Sequence, residues 1–313
     1  MDPKLCAVSV DLDPLSAYYA IHGLGEPPPQ VLHTIVRCAL PRFAELFAAA
    51  GVRATFFIVG QDLEQSPELG RALAELAAAG HEIANHSYSH SYALNQLSPE
   101  AIAHELGRAH ELLAEAVGAE HAPVGFRSPG YFVNGAVMAA LVALGYRYDS
   151  SMFPSPPYYL AKAAVMLGMS LRGRRSAAVL SDPRALLAPP DPYRPSIEEP
   201  WRQGSAPLIE LPIAVLPGLR VPAIGTLLTV SPAWLRRGLL QGMARRPLFN
   251  LELHGIDLAD AVSDSIPTEL AGRQPDLRVP HAEKQRILLE TLRELQRDRE
   301  LLTLREAATR FSA

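Results

Sequence analysis

The sequence predicts a parallel α/β fold, in which short buried strands alternate with amphipathic helices. Three observations predict this class. Apolar runs alternate with segments of helical periodicity, several predicted helices stop at a glycine such as Gly51, Gly80 or Gly145, and polar residues directly follow the predicted strands. Because parallel strands present their carboxyl ends at one edge, we expect these polar residues to meet there.

The elements follow in a regular order along the first half of the chain. We predict strands over residues 6–10, 53–59, 81–84, 124–126 and 146–148, and helices over residues 31–50, 66–79, 98–117 and 134–144. After an irregular stretch, strands are predicted over residues 208–211 and 250–253, and a last helix over residues 281–299. No repeat of fixed period is present.

Composition fits one globular domain spanning residues 1–313, with 48% hydrophobic and 20% charged residues. A net charge of −4 gives no electrostatic footprint for nucleic acid, and the basic clusters at residues 172–175, 236–237 and 245–246 are interpreted as solvated helix ends. Cys6 and Cys38 suit reduced thiols better than a disulfide framework. Residues 1–5 lead into the first strand without the pattern of a signal peptide, so the expectation is a cytoplasmic protein.

A proline-rich insertion at about residues 154–207 interrupts the α/β pattern. Long loops in compact folds commonly border a functional site. The insertion carries Tyr158, Tyr159, Tyr193 and Trp201, which we interpret as the rim of a site. Its apolar stretch, residues 158–171, is interrupted by Lys162 and is too short to span a bilayer. A helix covering the core or the rim is favoured there over one lying on a membrane surface.

Two motifs with metal-ligand chemistry lie at the predicted strand ends. His86 and His90 are four residues apart, and Asp11 and Asp13 close the first strand. Two imidazoles and one carboxylate can hold a divalent ion and leave a coordination position open for water. Two carboxylates at the mouth of a buried strand also carry a large desolvation cost unless a cation lies between them. The pattern therefore predicts a catalytic metal site.

Five segments in order resemble the polysaccharide deacetylase family, the NodB-homology carbohydrate esterases, and nearest are members with an Asp-x-Asp first motif such as peptidoglycan deacetylase-like proteins. The segments are Val-Asp-Leu-Asp at residues 10–13, His-Ser-Tyr-Ser-His at 86–90, Phe-Arg-Ser-Pro-Gly-Tyr at 126–131, Tyr-Arg-Tyr-Asp-Ser-Ser at 146–151 and Leu-Glu-Leu-His at 251–254. The resemblance implies a distorted (β/α) barrel of about seven strands, with its site at the carboxyl ends of the strands.

The resemblance also implies a role for each matching residue. Asp13, His86 and His90 would hold the metal, and Asp11 would act as general base, paired with Arg127. Because Leu12 separates the two aspartates, which are adjacent in many members, their roles could be exchanged.

The remaining roles concern the oxyanion and the leaving group. The backbone N–H of Gly130 or of Tyr131 would stabilise the oxyanion, and His254, oriented by Asp149, would be the general acid. Glu252 stands where a pocket-lining leucine is common, which predicts a more polar acyl pocket and leaves formyl as an alternative to acetyl.

The sequence thus predicts a metal-dependent hydrolase that removes an N-acyl group, foremost N-acetyl, from an amino sugar of a polysaccharide, peptidoglycan or glycan precursor. Zinc is the expected ion, with cobalt, manganese or nickel as alternatives. A hydrolase of cyclic imides or ureides and an inactive carbohydrate-binding protein are the other functions considered. No nucleic-acid partner and no transmembrane segment are expected, and peripheral membrane contact stays open.

Overall fold

A computed structural model describes residues 4–312 of the chain. Its strands are β1 (Leu5–Asp11), β2 (Thr55–Ile58), β3 (Glu82–Asn85), β4 (Gly125–Phe126), β5 (Tyr148–Asp149), β6 (Ile209–Glu210), β7 (Leu248–His254) and β8 (Glu300–Leu302). All pairings are parallel, and the strand order is β6-β5-β4-β3-β2-β1-β7. β8 pairs with the first half of β1 and β2 with its second half. These strands curl into the predicted distorted (β/α) barrel.

The helices lie outside the sheet. They are α1 (Leu15–Ile21), α2 (Leu40–Ala50), α3 (Gly60–Gln65), α4 (Pro67–Ala78), α5 (Pro99–Val117), α6 (Gly135–Ala143), α7 (Pro156–Ser170), α8 (Gly225–Val230), α9 (Ala233–Gly242), α10 (Thr268–Ala271), α11 (His281–Leu295) and α12 (Leu304–Ser312). None of the helices within residues 4–312 is long and apolar enough to cross a membrane.

Two predicted helices have different bounds in the structure. The segment 31–50 is not one α-helix, because a π-helical turn over Ile35–Ala39 precedes α2. Pro41 has no N–H to donate within a regular α-helix, which favours a wider turn before it. The last predicted helix stops at Leu295 instead of 299, because Arg299 is buried and donates to the carbonyl of Leu5 at 2.9 Å.

Polar side chains close the barrel where β6 and β7 are not directly paired. Asn250, on β7, donates from Nδ2 to Ser150 Oγ at 2.9 Å and to the Leu211 carbonyl at 2.8 Å. The Ala214 N–H donates to the Asn250 carbonyl at 3.2 Å. The side chains of Ser150 and Asn250 therefore point into the barrel. Because side chains alternate along a strand, the residues directly before and after each of them point outward.

Apolar side chains fill the interior of the barrel below the site, and their packing requires a glycine on β4. Phe57, Ala84 and Tyr148 form part of a buried apolar cluster. A Cβ at Gly125 would overlap the ring of Tyr148, so only glycine fits there. The barrel is thus closed at this level, and the open space lies at the carboxyl ends of its strands.

Candidate active site

The predicted site residues converge at the carboxyl ends of four strands. Asp11 ends β1, His86 follows β3, Arg127 follows β4 and His254 ends β7. Asp13 lies two residues beyond β1. These five residues come from four separate segments of the sequence. The parallel sheet brings them together at one edge.

Asp13, His86 and His90 form a compact cluster of potential metal ligands. Asp13 Oδ1 lies 3.1 Å from His86 Nε2 and 3.0 Å from His90 Nε2. His86 Nδ1 lies 2.7 Å from the Arg127 carbonyl, so this nitrogen donates and the lone pair of Nε2 is directed toward Asp13. The imidazoles outweigh burial and hold the pKa of Asp13 well below its usual range. Two nitrogens and one oxygen in this arrangement fit a divalent ion.

The loop between the two histidines has an unusual backbone. Ser87 and His90 both have positive φ, at 65° and 54°, a region that residues with side chains rarely adopt. The Ser87 N–H donates to Asn85 Oδ1 at 2.8 Å, and the His90 N–H donates to Ser87 Oγ at 3.1 Å. These bonds hold the turn that aims both rings at Asp13, and strain of this kind is typical of functional sites.

Asp11 does not share this cluster but pairs with a buried arginine. Arg127 is fully buried, and its Nη1 donates to Asp11 Oδ1 at 2.5 Å and to Ser9 Oγ at 3.0 Å. Its other donors reach the Ser150 carbonyl and hydroxyl, both at 2.9 Å. The structure thus gives the two aspartates different surroundings, with Asp13 beside the histidines and Asp11 beside the arginine.

Removing the arginine should destabilise the fold strongly. We expect Arg127→Ala to lower the free energy of unfolding by about 3–5 kcal/mol, because it leaves the Asp11 carboxylate buried without its partner. Urea unfolding of the variant measures this loss. Arg286→Ala is the matched control, since Arg286 also forms two ion pairs, with Glu283 and Glu290, but is exposed. Nearly equal losses in the two variants would contradict the buried-pair interpretation.

The Pro-Gly turn at residues 128–131 forms one wall of the site. Gly130 and Tyr131 both have positive φ, at 65° and 71°. A Cβ at Gly130 would come within 2.8 Å of the Tyr92 ring, so the close packing also requires glycine. The Tyr131 N–H already donates to the Ser128 carbonyl at 2.9 Å. Of the two oxyanion donors considered, the turn therefore favours Gly130.

His254 lies opposite this turn, in a group of acidic side chains. Its Nε2 is 3.4 Å from the Tyr131 hydroxyl, and its backbone N–H donates to Asp257 Oδ2 at 2.9 Å. One ligand atom each of Asp11, Glu252 and His254 lies within 4.8 Å of the other two. Burial opposes protonation of His254, but the neighbouring carboxylates, Glu252 foremost, outweigh it and raise its pKa to about 9.

The predicted contact between Asp149 and His254 is wrong. Because Ser150 points into the barrel, strand alternation turns Asp149 to the outer face. There Ser151 Oγ donates to Asp149 Oδ1 at 2.6 Å, and Glu210 is its acidic neighbour. Burial raises the pKa of Asp149 to about 6. Asp149 is therefore a buried structural carboxylate and does not orient His254.

Glu252 also has a different position from the one expected of a pocket-lining residue. It is fully buried, and its Oε1 lies 3.7 Å from Arg127 Nη1. Neither carboxylate oxygen has a hydrogen-bond partner within the part of the chain that the structure describes. Burial raises its pKa to about 7, because His254 and Arg127 offset the desolvation only in part. Glu252 is not among the residues that line the cavity, and a more polar acyl pocket stays a prediction.

A cavity of about 360 Å³ opens in front of these groups. Asp11, Asp13, His86 and His254 line its floor, and Tyr158 on α7 lines its wall. Tyr159 borders a smaller adjoining cavity. The other two aromatic residues of the predicted rim, Tyr193 and Trp201, are buried in a separate core cluster and do not face the site. The insertion thus contributes α7 to the rim and uses the rest of its aromatic residues for packing.

The barrel, the aspartate–histidine cluster and the arginine-paired aspartate define the class as that of (β/α) barrels with a candidate metal site at the strand ends. The polysaccharide deacetylase family model matches residues 30–148, a range that includes His86, His90 and Arg127. Over this range the chain is similar to the polysaccharide deacetylase family. Asp11, Asp13 and His254 lie outside the matched range.

Several characterised proteins are similar to parts of the chain. A peptidoglycan deacetylase of Helicobacter pylori is 27% identical over 162 residues, which are 50% of this chain and 53% of that protein. A peptidoglycan-N-acetylglucosamine deacetylase of Bacillus cereus is 30% identical over 107 residues, which are 34% of this chain and 47% of that protein. The chain thus spans about half the length of the curated relatives it matches.

One solved structure resembles nearly the whole chain. It comes from Mycobacterium smegmatis, is described as a polysaccharide deacetylase, and superposes with a TM-score of 0.59 at 19% identity. The likeness covers 99% of this chain and 91% of that protein. At this identity the comparison establishes the fold, and it agrees with the distorted (β/α) barrel.

Proposed function

We propose that this protein is a metal-dependent hydrolase that removes an N-acetyl group from an amino sugar. The observation that carries the proposal is the arrangement of three groups around one cavity. Asp11, Asp13, His86 and His254 line this cavity. His90 lies against Asp13, and Arg127 pairs with Asp11. The relatives named as peptidoglycan and chitin deacetylases support an acetylated sugar as substrate.

Asp13, His86 and His90 are the residues that would hold the ion. A divalent ion at such a site supplies a Lewis acid that polarises an amide carbonyl and makes a water molecule more acidic. Zinc suits a site of two imidazole nitrogens and one carboxylate oxygen, and cobalt, manganese and nickel are the alternatives.

Asp11 is assigned the role of general base. Its carboxylate ends β1 at the cavity floor, and Arg127 fixes one of its oxygens by the 2.5 Å bond. The second oxygen is left for a proton from water, because a carboxylate has two oxygens with four acceptor sites. Asp13 is engaged with both histidines and is the poorer candidate for this role.

The backbone N–H of Gly130 is assigned to the oxyanion. Attack on an amide carbonyl places negative charge on its oxygen, and a fixed N–H donor stabilises that charge. Gly130 borders the cavity, and the Tyr131 N–H is engaged inside the turn.

His254 is assigned the role of general acid, and Glu252 the role of positioning it. An amine leaves only after protonation, and an imidazolium can deliver that proton. With a pKa of about 9, His254 carries the proton at neutral pH. Glu252 is the carboxylate with the largest effect on that pKa and lies on the same face of β7, two residues away. It therefore takes the part that the sequence had suggested for Asp149.

A panel of acylated sugars tests the proposal. Zinc-loaded protein should release acetate from at least one of N-acetylglucosamine oligomers, peptidoglycan fragments or lipid-linked N-acetylglucosamine, and chelation should stop the release. N-formylated sugars and a cyclic imide in the same panel examine the alternative activities. Sugar binding without any turnover of the panel would instead favour an inactive carbohydrate-binding protein.

A further inference from the structure

Helix α7 has an apolar face that the rest of the chain does not cover. None of its residues is buried. Leu160 and Leu167 are 66% and 61% exposed, and Leu171, the residue after the helix, is 79% exposed. Their spacing of seven and four residues puts them on one side of the helix. A solvated helix normally presents charge on its outer face, and the only charged residue of α7 is Lys162.

The segment around α7 has a positive charge in a protein that is negative overall. Residues 150–181 contain Lys162, Arg172, Arg174 and Arg175 and none of the 33 Asp and Glu residues of the chain. The three arginines directly follow the apolar stripe, and all are exposed. An apolar helix face followed by a cluster of arginines is complementary to the surface of an anionic bilayer.

The other side of α7 faces the site. Lys162, Val165 and Met166 line the cavity above the Asp13–His86–His90 cluster. Val165 and His22 also line a second cleft of about 550 Å³, into which Arg172, Arg174 and Arg273 project. Two of these arginines have no carboxylate within 4 Å among residues 4–312, namely Arg172 and Arg174. A sugar in the first cavity would therefore have beside it guanidinium groups that no carboxylate neutralises.

The arginine segment is held against the rim and does not hang free. Ser176 Oγ donates to the Ile21 carbonyl at 2.6 Å, and the Ala177 N–H donates to the Ala20 carbonyl at 3.0 Å. Both acceptors belong to α1, which begins two residues after Asp13. The distance between the arginines and the metal-ligand cluster is thus set by the fold.

We propose that α7 lies on an anionic membrane surface and that the site acts on an amino sugar carried by a lipid phosphate. The sugar occupies the 360 Å³ cavity, the phosphate binds the arginines of the adjoining cleft, and the lipid chain follows the apolar stripe of α7. The substrate half of this inference rests on the proposed deacetylase function, and the membrane half does not.

Vesicle flotation tests the membrane half. The wild-type protein should float with vesicles of phosphatidylcholine and phosphatidylglycerol. Its binding to vesicles of pure phosphatidylcholine should be at least about tenfold weaker. The triple variant L160S/L167S/L171S should lose binding, and L160M/L167M/L171M should keep it because methionine stays apolar. Since all three leucines are exposed, the fold should tolerate both changes.

Charge has its own matched pair of variants. R172Q/R174Q/R175Q should bind the anionic vesicles at least about tenfold more weakly. R71Q/R293Q/R297Q removes the same charge from three exposed positions, one on α4, one on α11 and one just after α11. This variant should bind the vesicles like the wild type. Failure of the wild type to float would overturn the inference. An equal loss of vesicle binding in the two triple arginine variants would also overturn it. If the wild type is a dimer and only L160S/L167S/L171S is a monomer, the apolar stripe contacts a second copy of the chain instead of a membrane.

Turnover tests the substrate half. In anionic vesicles, N-acetylglucosamine linked to a lipid phosphate should be deacetylated with a kcat/KM at least about tenfold above that of a soluble N-acetylglucosamine oligomer. L160S/L167S/L171S should lose this preference and keep its rate on the soluble oligomer. An equal rate on both substrates would overturn the substrate half. Absence of turnover on every sugar would refute the proposed function, whereas flotation would still decide the membrane half.

Discussion

Asp13→Asn should abolish metal binding and turnover together, whereas Asp11→Asn should keep the metal and lose only turnover. Asp13 Oδ1 is the oxygen between both imidazoles, and Asp11 is engaged with Arg127 instead. An amide has the shape of the carboxylate but lacks its charge and cannot take up a proton from water. Metal analysis of the purified variants, combined with acetate release, separates the two effects.

The comparison has a clear opposite outcome. If Asp11→Asn lost the metal and Asp13→Asn kept it, the two roles would be exchanged, as the Asp-x-Asp spacing permits. His121→Ala is a suitable control, because His121 is distant from the cluster in sequence and lies before β4, at the opposite end of that strand from Arg127. It should retain both metal and turnover.

His254→Ala should lower kcat by about 10²- to 10⁴-fold, with the fold and the metal retained. The loss should be smaller for an activated ester, because a phenoxide leaves with less help from an acid than an amine does. Steady-state kinetics on matched amide and ester substrates measure this difference. Equal losses on both substrates would mean that His254 positions the substrate and does not protonate it.

Glu252→Gln examines the partner of His254 through the pH profile. The Glu252 carboxylate raises the pKa of His254, so its removal should lower that pKa from about 9. The acid form then disappears at lower pH, and the alkaline limb of kcat/KM should move toward neutrality. Asp149→Asn should leave the limb in place, because Asp149 faces away from the site. A shift in Asp149→Asn alone would contradict this assignment.

The sequence predicts the parts of the site that are local in the chain. His86 and His90 belong to one loop, and Asp11 and Asp13 to one strand end, so their spacing alone places them near one another. Parallel packing then explains why both motifs meet at one edge of the sheet. The order of the first strands follows from the same alternation of apolar runs and helical segments.

The errors concern the direction of side chains and partners distant in sequence. Asp149 directly precedes Ser150, and only the bonds from Arg127 and Asn250 show that Ser150 is the inward residue. Strand alternation places Glu252 on the same face as His254, but it does not reveal that Glu252 lies 3.7 Å from Arg127. β8 and α12 are short, and the burial of Arg299 before them has no signal in a local pattern.

The outward face of α7 illustrates a further difficulty. Sequence periodicity does not distinguish an apolar stripe that packs on a core from one that stays uncovered. The structure decides between these alternatives, because no residue of α7 is buried. The structure places α7 on the rim of the site, as favoured from the sequence, and its exposed leucines are the basis of the proposed membrane contact.

The most direct measurement of the central claim is a zinc titration of metal-free protein followed by acetate release from the best N-acetylated sugar. Turnover should rise in proportion to added zinc and level off at one ion per chain. The His86→Ala and His90→Ala variants should bind no zinc at this site and release no acetate, because each loses one of the three residues proposed to hold the ion. Turnover that persists without metal, or full zinc occupancy in either histidine variant, would contradict the account.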